Sequence, residues 1–185
     1  MTLPRVSRQF FVSGAFILVM LYAAGAPTHA DEPKTGEDVL VINKKTDRCL
    51  TIGGGASSSN NVEAVQFGCD GAESRKWRLL RRPNSHIYQI RNVHTGKCLT
   101  IAGGVSTDNN VTAVQFDCDN DASRTWVITD VTGSGLYQLK NAKTGKCLTI
   151  AGGVSAANNV PALQFNCDTD LSRHWQIKDA GHSID

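Results

Sequence analysis

One stretch of this chain occurs three times, and that repetition restricts the possible folds more than any other feature. Residues 95–126 read TGKCLTIAGGVSTDNNVTAVQFDCDNDASRTW. Residues 46–77 read TDRCLTIGGGASSSNNVEAVQFGCDGAESRKW, and residues 144–175 read TGKCLTIAGGVSAANNVPALQFNCDTDLSRHW. The first cysteines are Cys49, Cys98 and Cys147, the second are Cys69, Cys118 and Cys167, and the tryptophans are Trp77, Trp126 and Trp175. Each series steps by 49 without a slip. A unit repeated this tightly cannot bury its apolar face alone and closes on its siblings. The array stops at three. A closed, threefold-symmetric body fits that better than an open solenoid, which needs polar caps and tolerates more repeats.

The chain has 185 residues, enough for one domain and an extension. Residues 1–30 form that extension. Arg5 and Arg8 give a charged start, 10–24 is mostly apolar, and Thr28, His29 and Ala30 offer small residues around a cleavage position, the layout of a secretory signal peptide. The apolar run is shorter than the roughly 20 residues of a membrane-spanning helix. Cleavage near Ala30 is expected, with the protein secreted to the extracellular space or periplasm and no membrane span. Residues 31–38 read as a flexible leader, 39–179 as the domain (repeats 39–86, 87–135 and 136–179) and 180–185 as a tail.

Charge excludes one class of partner. The chain carries 19 Lys+Arg against 17 Asp+Glu. Arg5 and Arg8 are the charged residues of 1–30, so their removal leaves a neutral domain. A neutral domain has no general pull on nucleic acid or acidic lipid.

All six cysteines lie in the repeats, one pair per copy. Fifteen pairings are formally possible. The threefold repetition favours Cys49–Cys69, Cys98–Cys118 and Cys147–Cys167. A zinc site fails on spacing, because no CxxC and no clustered histidines accompany the cysteines. No metal or cofactor is expected.

The local pattern is that of strands. Val39/Val41, Tyr88/Ile90 and Tyr137/Leu139 alternate with other residues. Asn-x-x-Thr-Gly-Lys turns follow in copies two and three, with Asp47 replacing glycine in copy one. In each Cys-Leu-Thr-Ile, the Leu and Ile are expected to face the core, with the Cys and Thr opposite. An Asn-Asn loop leads to Ala-Val-Gln-Phe or Ala-Leu-Gln-Phe, and a last strand runs from the tryptophan. Four short strands per copy predict an all-β fold of about twelve strands. No stretch has a helical period.

Three copies of Cys-Leu-x-Ile…Gln-Phe-x-Cys…x-x-Trp resemble the ricin B-chain-type β-trefoil lectin domain family, over 39–179. The resemblance implies a pseudo-threefold β-trefoil, carbohydrate binding and one shallow sugar site per copy. It also implies positions. The acid that typically takes sugar hydroxyls falls on Thr51, Thr100 and Thr149. The ring that typically stacks on the sugar falls on Phe67, Phe116 and Phe165. The family's Asn-Gln-x-Trp reads Ser74-Arg75-x-Trp77, Ser123-Arg124-x-Trp126 and Ser172-Arg173-x-Trp175. Threonine departs from the family, since it offers one hydroxyl where a carboxylate accepts two donors.

Two readings of the ring stand side by side. The family's pattern puts Phe67, Phe116 and Phe165 outward. Strand alternation puts Val65 and Phe67 in the core, so that Gln66, Gln115 and Gln164 face outward and become the ligand contacts. The tryptophans each have an apolar residue two places on and are expected in the core. Arg75, Arg124 and Arg173 could take an anionic sugar, but bracing Asp70, Asp119 and Asp168 in their own loops is favoured. Catalysis has little support, because the histidines occupy unrelated repeat positions and no serine has a visible base partner. The expectation is a non-enzymatic lectin whose weak sites act together on glycans or glycoconjugates. The alternative is a protein-binding β-trefoil, a hydrolase inhibitor or toxin targeting subunit, with a protein partner.

Overall fold

The computed structural model describes residues 32–133 and 135–181. The expected signal peptide, 1–30, and the tail from 182 onward lie outside the described residues. Copy one contributes β1 (Asp38–Asn43), β2 (Cys49–Ile52), β3 (Ala64–Phe67) and β4 (Lys76–Arg81). Copy two contributes β5 (Ile87–Asn92), β6 (Cys98–Ile101), β7 (Ala113–Phe116) and β8 (Trp126–Asp130). Copy three contributes β9 (Leu136–Asn141), β10 (Cys147–Ile150), β11 (Val160–Phe165) and β12 (Trp175–Asp179).

The first and fourth strands of the copies close a six-stranded barrel. Going round it, β1 pairs with β4, β4 with β5, β5 with β8, β8 with β9, β9 with β12, and β12 with β1, all antiparallel. The second and third strands form hairpins, β2–β3, β6–β7 and β10–β11, that cap one end. The cap is tied together by β11–β3 and by bridges at Glu63–Val114 and Thr112–Leu163. This is a β-trefoil, and closure leaves the barrel no free edge.

The core follows the expected alternation. Val39, Val41, Tyr88, Ile90, Tyr137 and Leu139 line it, with Leu50, Ile52 and their counterparts in the hairpins. Trp77, Trp126 and Trp175 are fully buried. Their indole N–H groups donate to Leu50 O, Leu99 O and Leu148 O at 2.8, 2.9 and 3.0 Å, which satisfies the one polar atom each brings inside. The three intra-copy disulfides form, with Cα–Cα separations of 5.2, 5.1 and 5.0 Å.

Two features differ from the sequence expectation. Single 3-10 turns stand at Glu73–Arg75, Ala122–Arg124 and Leu171–Arg173, too short to leave a helical period. The described part of the leader is docked on copy one and does not hang free. Pro33 is buried, Gly36 N donates to Leu79 O at 3.1 Å, and the Glu32 carboxylate pairs with the Arg81 guanidinium.

Candidate functional site

The cap hairpins place the predicted site residues. In the β2–β3 ladder Leu50 faces Gln66, Ile52 faces Ala64, and Thr51 faces Val65. Directly opposed residues share a sheet face. Leu50, Ile52, Ala64 and Gln66 therefore point inward, and Thr51, Val65 and Phe67 to the other face of the hairpin, where Thr51 and Val65 are still covered and Phe67 is half-buried. This corrects the alternation reading for Phe67, which is half-buried and not in the core, and for Gln66, which is buried and not at the surface; Val65 is buried as expected, on the side of the hairpin away from the central cluster.

The glutamines are buried because each ties two copies together. Gln66, Gln115 and Gln164 are fully buried. Gln115 Oε1 accepts from Thr95 Oγ1 at 2.8 Å, and its Nε2 donates to Ser57 O and Ser59 O of copy one, both at 2.7 Å. Gln164 does the same from Thr144 to Ser106 O and Asp108 O of copy two. Gln66 does so from Thr46 to Ser155 O and Ala157 O of copy three. Buried polar groups must find partners, and these amides find three each. No face of them is left for a ligand.

The threonines at the family's acid position are also committed. Thr51, Thr100 and Thr149 are buried, and donate to Ser74 O, Ser123 O and Ser172 O at 2.9, 2.9 and 3.2 Å. Those carbonyls also accept from the buried Asn92, Asn141 and Asn43 of the following copy.

Phe67, Phe116 and Phe165 are half-buried, each with a guanidinium over the ring. Arg75, Arg124 and Arg173 stand 4.3, 4.4 and 4.4 Å from the ring centroids. Such a contact orders both partners and adds about 0.5–1 kcal/mol at partly wet sites. The same arginines brace the loop as expected, at 3.0 Å from Asp70, 3.4 Å from Asp119 and 3.3 Å from Asp168.

Around each ring lies a pocket, so the structure brings Thr, Phe, Ser and Arg together in every copy. In copy two it encloses about 460 Å³ and is lined by Thr100, Gly103, Gly104, Val105, Phe116, Asp121, Ser123 and Arg124. Asn61 of copy one and Lys143 of copy three complete its wall. In copy three it encloses about 310 Å³, with Thr149, Val154, Phe165, Asp170, Ser172 and Arg173, and with Asn110 of copy two. In copy one it encloses about 230 Å³, with Thr51, Phe67, Ser74 and Arg75, and with Asn159 of copy three. The asparagines Asn61, Asn110 and Asn159 hold φ of 64°, 66° and 63°, a conformation asparagine tolerates well. Gly104 is required for shape. Its φ is 69°, and a Cβ there would lie 3.0 Å from Ser123 Oγ.

Asp121 and Asp170 entered the site unannounced. Each precedes a 3-10 turn, and its Oδ1 accepts from Ser123 N or Ser172 N at 2.8 Å. Those backbone bonds, and then the same serines' hydroxyls, hold both carboxyls below the ordinary carboxylate range. Copy one has Ala72 at this place, with no side-chain cap. The repeats show the pattern Ala72, Asp121, Asp170, which is the signal that could have found them.

A family model described as "Ricin-type beta-trefoil lectin domain" matches residues 86–185, and one described as "Ricin-type beta-trefoil lectin domain-like" matches 29–117. The chain belongs to the ricin-type β-trefoil lectin domain family. Membership supports carbohydrate binding in general. No curated protein matches the chain in sequence. Among solved structures it is similar to the designed threefold-symmetric protein ThreeFoil, at 20% identity and TM-score 0.72, covering 77% of this chain and 98% of that one. It is similar to a Macrolepiota procera ricin B-like lectin in complex with lactose, at 14% identity and TM-score 0.66, covering 79% and 97%. It is also similar to an exo-β-1,3-galactanase from Clostridium thermocellum, at 21% identity and TM-score 0.72, covering 80% of this chain and 31% of the enzyme. At these identities the likeness speaks for the fold. No helix among the described residues is long and apolar enough to cross a membrane.

Proposed function

We propose that the protein is a secreted, non-catalytic lectin that binds glycans at one pocket per copy. The observation that carries this is the recurrence of the same pocket around Phe67, Phe116 and Phe165, at three places related by the repeat. Each offers an aromatic surface beside polar groups, the combination that suits a sugar's apolar C–H face and its hydroxyls. The pockets are open and shallow, so single sites would be weak and clustered glycans would be held by effective concentration.

The same pockets argue against hydrolysis. Glycoside hydrolysis ordinarily needs a pair of carboxyl groups about 5–10 Å apart. One carboxylate lines the pocket of copy two, one that of copy three, and none that of copy one. Three disulfides fit an oxidising compartment, which supports export.

The test is a broad glycan array probed with the chain from residue 31 onward. Binding to one sugar class, strengthened by glycan density, is expected. Silence on every glycan with the protein folded would refute the lectin reading.

A further inference from the structure

We infer that Asp121 with Val105, and Asp170 with Val154, select the ligand in copies two and three. The ligand class is a neutral sugar that presents both hydroxyl donors and an acylamino methyl. This rests on the lectin reading and deepens it.

The acid comes from an unexpected element because the strand position cannot hold one. Thr100 Oγ1 donates to Ser123 O, which Asn141 Nδ2 also reaches at 2.7 Å. A carboxylate in place of Thr100 would set an acceptor against that carbonyl. Asp121 instead enters the pocket from the loop before the 3-10 turn. Its Oδ1 is fixed by Ser123 N, and Arg124 Nη1 stands 3.6 Å from the same oxygen; a carboxylate has about four acceptor positions, so capacity remains for sugar hydroxyls.

The same two pockets carry an exposed apolar residue, Val105 or Val154. Val105 and Val154 are 72% and 76% exposed, on glycine-rich loops where packing does not require them. Copy one has neither feature: Ala56 stands for the valine and Ala72 for the acid. Acid and valine are thus present together in two copies and absent together in the third, and the two pockets that have them are the larger. An anionic sugar suits the site less well. The Arg124 side chain is only 15% exposed, engaged by the Phe116 ring, Ser123 Oγ and Asp119. Arg124 also stands 3.6 Å from Asp121, so its charge is already matched by two carboxylates.

The experiment measures affinity and stoichiometry by calorimetry for N-acetylglucosamine, N-acetylgalactosamine, glucose, galactose and glucuronic acid. Wild type should bind an N-acetylated sugar at two sites, more tightly than its parent hexose. Asp121→Asn with Asp170→Asn should weaken it by about tenfold or more, because a charge-assisted acceptor is lost. Asparagine still caps the turn, so the melting temperature checks that the fold is intact. Val105→Ser with Val154→Ser should bring the ratio of N-acetylated to parent affinity close to one. Ala56→Val with Ala72→Asp should give the copy-one pocket the same preference and raise the stoichiometry for that sugar from two to three. Unchanged affinity in the asparagine variant, or a preference for glucuronic acid, overturns the assignment while the lectin reading stands. A wild type that binds neither these sugars nor any array glycan overturns the lectin reading itself.

Discussion

Replacing Gln115 by Leu separates a structural amide from a ligand contact. The substitution keeps most of the volume, so little cavity forms and the loss is in hydrogen bonds. Three are removed: the bond from Thr95 Oγ1 and the two donated to Ser57 O and Ser59 O. A net hydrogen bond is worth about 1 kcal/mol, and a buried group left unpaired costs about 1–3. The Ser57 and Ser59 residues are exposed, so water can replace the amide there, and the Thr95 hydroxyl is half-buried. The sum is about 3 kcal/mol. For a domain of this size that lowers Tm by roughly 6–12 °C. Location tests the reasoning further. The two donated bonds cross from copy two to copy one, so hydrogen exchange should quicken in the loop at 57–61 of copy one, while β6 of copy two keeps its protection. Asn61 on that loop lines the copy-two pocket, so binding there should weaken as well. A variant with unchanged Tm and lost glycan binding would refute the structural assignment and return Gln115 to the ligand.

Three further outcomes follow from the geometry. Phe116→Ala and Phe165→Ala should each weaken glycan binding, the pair should nearly abolish it, and Phe67→Ala should matter less; the cost in stability, read by chemical denaturation, should fall below the about 3–5 kcal/mol of a fully buried phenylalanine. Replacing Cys98 and Cys118 by serine should lower stability by roughly 3 kcal/mol, the chain-entropy value for a loop of this length, measurable as a lower urea midpoint with an m-value that rises as the unfolded chain expands. Asp121 and Asp170 have depressed folded pKa values, so what their ionisation contributes to stability and binding is fully present above the ordinary aspartate value of about 3.9 and is lost only as pH falls through the lower folded values. Binding titrated downward from pH 7 should therefore persist through the ordinary aspartate range and fail only below it, as the lowered folded values are reached.

The parts of this structure that could be read in the sequence are those that repetition repeats. The period of 49 placed the strands, the cysteine pairs and the three buried tryptophans, because each is decided within one copy. What misled was decided between copies. Alternation set the faces of Ala-Val-Gln-Phe correctly but not which face was inner, since an inward amide is stable only if partners wait for it. Those of Gln115 lie 56 and 58 residues away. The candidate site was half legible. Thr100, Phe116, Ser123 and Arg124 do meet at one pocket, but Thr100 serves the backbone and the carboxylate comes from Asp121. The aspartate could be found only by asking where the copies differ. The 3-10 turns that carry it are three residues long and leave no periodic trace.

The barrel seams β4–β5 and β8–β9 are hairpins, but the third seam, β12 on β1, joins copy three to copy one with no peptide across it. Val39 lies opposite Asp179 and the pairing runs inward to Asn43 opposite Trp175. A pull applied at residues 39 and 179 meets that ladder at its open end. It would break the bonds one after another, as in a zipper, instead of shearing them all at once. The fold can thus resist heat through its core and disulfides, yet yield mechanically at small force along this one line.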